Sequence, residues 1–590
     1  MTYNPLTLPH RRGMWSAACW LLLIFLSLQP MSARRYPPIH LKIVHTSDVH
    51  GRVLDALPKI CAYVDSLRER SDLGLIVTDA GDVLQGHPAA YYYNYIDTVS
   101  PHIVASAMNR VGYDAMTLGN HDIEASHSTY DRFVRQCSFP VLGANIIDVS
   151  TGRPYLHPYT IIERQGLRIA VLGLITPAIP HWVPQSLWSG LRFDEMVSTA
   201  QRWVNVIRRK EHPDMIIGLF HSGWDADKGI RTTDYDEDAT RLVAEQVDGF
   251  DIILYGHDHQ RNIAEATSPS GRKVLCMGPT NRGACFAVAD IYFDRNTYGD
   301  ITGKRIYGRM LETHALRDSI SPWLLTQQQA VETYMNQEVA VLDSDLRERE
   351  AFFGPSAFMS LIHEMQFELA SDAQISLAAP LSYDATIHAG TIRISDMFKL
   401  YKYENLLYTM RLSGRELQQV LEMSYDLWVG TMQSASDHLL LMDSFVTNRG
   451  NIRWELRNMA FNFDAAAGIR YTVDVTRPYG QKVNILGMED GTPFHPDSIY
   501  LVAVNSYRAG GGGELLTRGA GIELDELPSR VVASTARDMR YYLIEMLRQR
   551  RTVRPTCRRN WQFVPQEWTV PAATRDSLLL FPQRAEGWQH

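Results

Sequence analysis

Six short apolar runs, at residues 41–45, 73–78, 114–118, 167–175, 215–220 and 251–255, mark the first half of the chain. Each is closed by a cluster of polar residues and followed by a helix-length amphipathic segment. Strands alternating with helical patterns imply a layered α/β domain, because each crossover helix must bury its apolar stripe against a sheet. In such sheets ligands collect beyond the carboxyl ends of the strands. The residues just after each run are therefore the first place to look for chemistry. With 590 residues the chain exceeds what one hydrophobic core serves, so a second domain is expected.

Past residue 320 the pattern changes. Ser321-Pro322, followed by a periodic stretch over 323–339, reads as a helix with Ser at the N-cap, Pro at the first helical position and Leu325, Val331 and Met335 on its apolar stripe. Residues 321–345 are taken as the linker and hinge. Residues 346–567 mix helical patterns (356–369, 414–426) with strand patterns (373–378, 407–412, 499–504), which suggests an α+β domain, and 568–590 is left as a tail. The arginines of 548–559 read as the end of a helix complementing its dipole, with a surface-binding patch as the alternative.

At the start, Arg11-Arg12, an apolar run over 14–28 and Met31-Ser32-Ala33 follow the pattern of a secretory leader spanning 1–33. An uncleaved anchor is the alternative, but the run falls short of the ~20 residues a spanning helix needs. The mature chain is thus expected to be exported: periplasmic, surface-bound or secreted. No later stretch is long and apolar enough to cross a membrane. Losing the leader removes Cys19 and leaves Cys61, Cys137, Cys276, Cys285 and Cys557, an odd set, so at least one thiol is free or paired between chains. Cys276 and Cys285 read equally as a disulfide or as two buried thiols. A net charge of -8 gives no basic surplus to gather nucleic-acid polymers, which leaves small substrates.

The strand ends carry the chemistry. The first run leads into Asp48-Val49-His50, the second into Gly81-Asp82, the third into Gly119-Asn120-His121-Asp122, the fifth into His221 and the sixth into Gly256-His257-Asp258-His259. Asp48 and His50, two residues apart in an extended segment, would share one side and grip one ion. Each motif alone is weak, since a lone Gly-Asp is usually a turn and a lone His usually a hydrogen-bonded structural residue. Seven oxygen and nitrogen ligands, each just after an apolar strand, point to a metal site. Carboxylate, amide and imidazole donors suit Zn, Mn, Fe or Co, and the lack of thiolates argues against a structural zinc. Two ions a few ångströms apart need a shared ligand, and Asp82 is the natural bridge.

These five segments look like those of the calcineurin-like metallophosphoesterases. From about 39 to 565 the chain resembles their exported two-domain branch, the bacterial 5′-nucleotidases and 2′,3′-cyclic-nucleotide 2′-phosphodiesterase/3′-nucleotidases. The resemblance implies a layered β-sandwich flanked by helices over 39–320 and a C-terminal α+β substrate-binding domain over 346–567. It implies two divalent ions, one held by Asp48, His50, Asp82 and His259, the other by Asp82, Asn120, His221 and His257. It makes His121 the group that stabilises charge on the transferring phosphoryl group. Where 5′-nucleotidases place an Asp four residues after the Asn, this chain has Glu124, one methylene longer, as the partner of that histidine.

The resemblance also points to a nucleoside site. Tyr403 of Leu400-Tyr401-Lys402-Tyr403-Glu404-Asn405 and Tyr507 of Asn505-Ser506-Tyr507-Arg508-Ala509 match the aromatics that sandwich the base, with Asn405 and Arg508 beside them. Stacking on a base is worth roughly 1 to 3 kcal/mol and tolerates any sequence. The 5′-nucleotidases carry a Gly-Gly-Ile-Arg type run whose arginines hold phosphate, where this chain reads Ala378-Ala379-Pro380-Leu381-Ser382. That departure favours cyclic-nucleotide phosphodiesterase/3′-nucleotidase activity. The alternatives are a 5′-nucleotidase or UDP-sugar hydrolase, and a catalytically weak nucleotide-binding surface protein.

Overall fold

The computed structural model describes residues 1–2, 36–316, 322–447 and 450–582. All but the first two residues of the expected leader lie outside that set, as does Ser321. Among the described residues no helix is long and apolar enough to cross a membrane.

The N-terminal domain is two six-stranded sheets packed face to face. The first contains β1 (Ile39–Thr46), β2 (Leu73–Asp79), β3 (Ala115–Thr117) and β4 (Val141–Leu142). The second contains β5 (Tyr159–Arg164), β6 (Leu167–Ile175), β7 (Met215–His221), β8 (Ile252–Gly256), β9 (Asn262–Thr267) and β10 (Lys273–Gly278). The antiparallel pair β11 (Cys285–Arg295) and β12 (Ile301–Glu312) then returns to the first sheet, giving the orders β12-β11-β1-β2-β3-β4 and β9-β10-β8-β7-β6-β5. β1, β2, β3 and β4 run parallel to one another, as do β6, β7 and β8.

Both faces of the central strands are covered, which is why these strands read as continuous apolar runs rather than alternating ones. Leu41, Ile43, Ile76, Val171, Ile217 and Leu254 fill the layer between the sheets. On the outer face of the first sheet, Val44, Val77 and Met116 meet the helices Ala56–Arg68, Ile103–Val111 and His127–Gln136. Ala170, Leu172, Ile216 and Ile253 meet Met196–Glu211 and Thr240–Gln246 on the outer face of the second. Because β1, β2, β3, β7 and β8 point the same way, their carboxyl ends open on one edge of the sandwich.

The connection between domains differs from the helix expected over 323–339. A single turn at Pro322–Leu324 leads into a helix, Leu325–Met335, whose N-cap Leu324 offers no side-chain acceptor. The chain then becomes a strand, Glu338–Leu342, with Val339, Ala340 and Leu342 buried. Its short apolar pattern pairs with Gly390–Arg393 and Thr552–Val553, and that ladder outweighs the helical period.

The second domain centres on a five-stranded sheet of β13 (Ile375–Ala378), β14 (Leu407–Ser413), β15 (Ala465–Ala467), β16 (Ile499–Asn505) and β17 (Val531–Ser534), in the order β15-β13-β16-β14-β17. Helices Ala357–Leu369 and Gly414–Trp428 pack against it. The tail expected from 568 is instead a helix, Gln566–Leu580, that buries Ala572, Leu580 and Phe581 in this domain's core. Arg550, in the last turn of the helix Met539–Arg550, pairs with Glu364 at 2.8 Å. Cys276 and Cys285 are both buried free thiols.

Candidate active site

The expected ligands sit on turns, and the turns are held by each other's backbone. β1 ends at Thr46, and both Asp48 (φ 52°) and His50 (φ 51°) adopt left-handed backbone. The extended segment expected there is absent; a turn, not strand alternation, brings the two side chains together. Their N–H groups donate to the carbonyls of Gly81 and Asp82, each at 2.9 Å. Asp82 (φ 58°), His257 (φ 92°) and His259 (φ 57°) share the unusual conformation, so five of the seven expected ligands stand where L-residues are strained. Such backbone persists only where the surroundings over-determine it.

Asp122 supplies much of that constraint. Its fully buried carboxylate accepts the N–H groups of Asp82, Val83, Leu84 and Gly119 at 2.8 to 2.9 Å. Burial and the Asp82 charge push it up to about 6. Gly119 and Gly256 are required by packing: a Cβ on the first would meet Asp82 and His221, and on the second Ser47 and Asp48.

The ligand atoms converge in two groups. Donors of Asp48, His50, Asp82 and His259 lie within 4.8 Å of one another. On the other side of Asp82, its Oδ2 is 3.3 Å from His221 Nε2, which is 3.1 Å from Asn120 Oδ1, itself 2.9 Å from His257 Nδ1. Asp82 thus borders both groups.

This donor set fits divalent cations. Asp48 Oδ1 is buried with no hydrogen-bond partner among the described residues. The Nε2 atoms of His50 and His259 face each other at 3.1 Å, with the Nε2 of His259 also 3.4 Å from Asp48 Oδ1. Burial would raise the Asp48 and Asp82 carboxyls, but the surrounding histidines hold both below the ordinary carboxylate range. Burial, with the charges of His121 and His259 adding to it, pushes His50 down to about 4 against the pull of Asp82 and Asp48, leaving the neutral imidazole that metal binding requires.

His121 and Glu124 form the expected pair, with Nδ1 2.9 Å from Glu124 Oε2, and Gln85 Nε2 donates to the same oxygen at 2.7 Å. Burial would lower His121, but the charges of Glu124 and Asp82 outweigh it and raise the imidazole to about 10. One group was not visible beforehand. Glu237 Oε1 accepts from His257 Nε2 at 2.9 Å, which fixes that proton and leaves Nδ1 to face Asn120. A carboxylate behind a ligating histidine orients the ring and raises its basicity. The acidic run Asp234–Asp238 carried the signal, without saying which residue reaches back.

A cleft of about 360 Å³ joins this edge to the second domain, within the range of ligand pockets. Asn120, His121 and His257 line it from one side, and Tyr403, Asn405 and Tyr507 from the other. Phe461, which no motif marked, completes the aromatic wall: Tyr403 and Tyr507 stand edge-on to it at 6.2 and 5.8 Å. Arg508 departs from expectation. It is fully buried, bound to Asp464 through two contacts of 2.9 Å and to the carbonyl of Phe461 at 3.0 Å. It braces the wall and does not line the cleft, because a buried guanidinium must have its donors satisfied. In the glycine run, Gly510 abuts the backbone carbonyl of His181, so the absent side chain lets the two domains approach.

The chain resembles known proteins over most of its length. Calcineurin-like phosphoesterase matches residues 41–261, and the 5'-nucleotidase C-terminal domain matches 333–518. The chain is 23% identical to the 2',3'-cyclic-nucleotide 2'-phosphodiesterase/3'-nucleotidase of Yersinia enterocolitica, over 83% of this chain and 84% of that one. It is 24% identical to the trifunctional nucleotide phosphoesterase protein YfkN of Bacillus subtilis over 95% of its own length, but spans 41% of that relative. A Staphylococcus aureus structure solved with alpha-ketoglutarate superposes with a TM-score of 0.70 at 22% identity, covering 89% of this chain and 99% of that one, which shows the shared fold. With both domain families matched, in order and over most of the sequence, the chain belongs to the calcineurin-like phosphoesterases that carry a 5′-nucleotidase C-terminal domain.

Proposed function

We propose that the protein hydrolyses nucleotide phosphoesters with two divalent ions, and that 2′,3′-cyclic and 3′-nucleotides are its preferred substrates. One observation carries this reading: the metal-ligand edge and the aromatic pair Tyr403 and Tyr507 open into a single cleft. Asp48, His50, Asp82 and His259 would hold one ion, and Asp82, Asn120, His221 and His257 the other. When bound, the ions supply Lewis-acid activation of the attacking water and neutralise the phosphoryl oxygens. His121, charged beside Glu124, stabilises negative charge on the phosphoryl group and can give its proton to the leaving oxygen. Tyr403 and Tyr507 stack on the base and set the distance from base to phosphorus.

The substrate preference is supported by the Ala378–Ser382 segment, which offers no arginine to a terminal phosphate, and by the cyclic-nucleotide enzymes among the relatives. The leader-like start of the sequence supports export. Mixed oxygen and nitrogen donors support Zn, Mn, Fe or Co as the ions. The test is turnover of 2′,3′-cyclic, 3′- and 5′-nucleotides and UDP-sugars, each with Mn, Zn, Co and Mg. The cyclic and 3′ substrates are expected to give the highest kcat/KM; a clear lead for 5′-nucleotides would overturn the preference, and metal binding without any turnover would overturn the enzyme.

A further inference from the structure

The seam between the domains buries a carboxylate that neither side satisfies. Glu404 stands between Tyr403 and Asn405 and lines the cleft, and its side chain is 3% exposed. Its Oε1 lies 3.4 Å from the Gly86 N–H of the catalytic domain and 3.6 Å from Arg540 Nη1 of its own domain. Both contacts are long for a charged acceptor. Among the described residues its Oε2 has no hydrogen-bond partner, and neither has Arg540 Nη1. Arg540 is committed elsewhere: Nε and Nη2 donate to the carbonyls of Tyr401 and Lys402, and the guanidinium lies 3.9 Å from the Phe398 ring centre.

Two more carboxylates, Asp538 and Glu124, act on the same spot. Burial, with their charges adding to it, pushes Glu404 up to about 7 against the pull of Arg540. Were the domains to part at this seam, Glu404 would regain water whose loss the seam repays only in part. The seam also reaches the chemistry. Gly86 follows Gln85, which donates to Glu124, which holds His121.

We propose that Glu404 makes domain closure conditional on an occupied nucleoside site: its carboxylate disfavours the empty closed cleft, and stacking of a base on Tyr403 and Tyr507 supplies the free energy that shuts it. Glu404 is thus a positioning residue. The inference rests on the nucleotide reading of the cleft. A ligand shifts such an equilibrium only by its differential affinity for the closed form. A phosphoester without a base gains little on closing, so its bound complex stays mostly open and its kcat stays low. A nucleotide closes the cleft in either case, so for it the penalty appears in KM.

Glu404→Gln keeps the shape and the acceptor for Gly86 while removing the charge. It is expected to lower KM for the preferred nucleotide about tenfold without raising kcat, and to raise kcat for glycerol 2-phosphate about tenfold, the factors a shift of one decade in the closing equilibrium gives. By small-angle scattering, the unliganded variant should show the smaller radius of gyration that the wild type reaches only with adenosine. A raised KM for nucleotide, an unchanged or lower kcat for glycerol 2-phosphate, or unliganded scattering equal to that of wild type would each overturn the proposal. Glu404→Leu, which also removes the charge, must move the unliganded scattering in the same direction, and melting curves exclude a folding defect in either variant. If adenosine leaves the wild type unchanged and no nucleotide is turned over, the nucleotide reading falls; the unliganded comparison still decides whether Glu404 opposes closure.

Discussion

The candidate ligand carboxylates of the first domain and two buried glutamates of the second are treated in opposite ways. On the metal side, Asp48 and Asp82 are buried among imidazoles and held below the ordinary carboxylate range. In the second domain the side chains of Glu348 and Glu404 are buried too, and burial pushes both up to about 7. Glu348 Oε1 accepts the Ser382 N–H at 2.7 Å, but its Oε2 has no partner among the described residues. Asp48 and Asp82 keep negative charge ready for a cation. The second domain lines the cleft with aromatic rings and with Glu404, whose charge it poorly supports, a surface suited to a flat base and hostile to a second phosphate. The division of labour between chemistry and recognition is thus written in electrostatics as well as in residue type.

That contrast can be broken at its strongest point first. Asp82→Ala removes the residue both ligand groups share, and a loss of turnover on the order of a thousandfold is expected, with at least one ion lost by elemental analysis. Glu237→Gln leaves every direct ligand in place. It should weaken metal binding or activity by roughly 10- to 100-fold, read as the metal concentration that restores half-maximal rate. On the other side, Tyr403→Ala or Tyr507→Ala should cost about 1 to 3 kcal/mol of nucleoside binding, seen as a raised KM, while bound metal stays at the wild-type amount. A loss of metal in either tyrosine variant would show that the two sides are not separable.

The smallest effect concerns Glu348. Its carboxyl titrates higher in the folded chain than in the unfolded one, so the fold binds the extra proton. Stability from this group is complete below the ordinary Glu range and is lost as pH rises toward 7. Glu348→Gln should therefore raise Tm by a few degrees at pH 8 and leave it nearly unchanged at pH 4, measured by calorimetry. An equal shift at both pH values would mean that packing, not charge, sets the difference.

The sandwich was legible because strands buried on both faces leave unbroken apolar runs, and the five strands that deliver ligands end at matching polar clusters. The candidate ligand set followed from that placement. The backbone under them did not: nothing in Asp48-Val49-His50 announces left-handed turns, since those depend on hydrogen bonds to Gly81 and Asp82 some thirty residues on. Glu237 and Phe461 were missed for a related reason, as each acts through a partner distant in sequence. Arg508 was misjudged because its neighbour Tyr507 does line the cleft, and only the burial of Asp464 shows where the guanidinium goes. The strand at Glu338–Leu342 was lost to a helical period because its pairing partners lie some fifty and more than two hundred residues away.

The left-handed turns under the candidate metal ligands have a consequence for engineering. A side chain at positive φ is carried at a cost of order 1 kcal/mol or more, and glycine carries it freely. Replacing His50 or His259, both partly open to solvent, with glycine should therefore abolish activity and yet give a metal-free protein that melts no lower than the metal-free parent. Selection for heat resistance alone would tend to erase this centre, whereas selection for turnover keeps it against the preference of the chain.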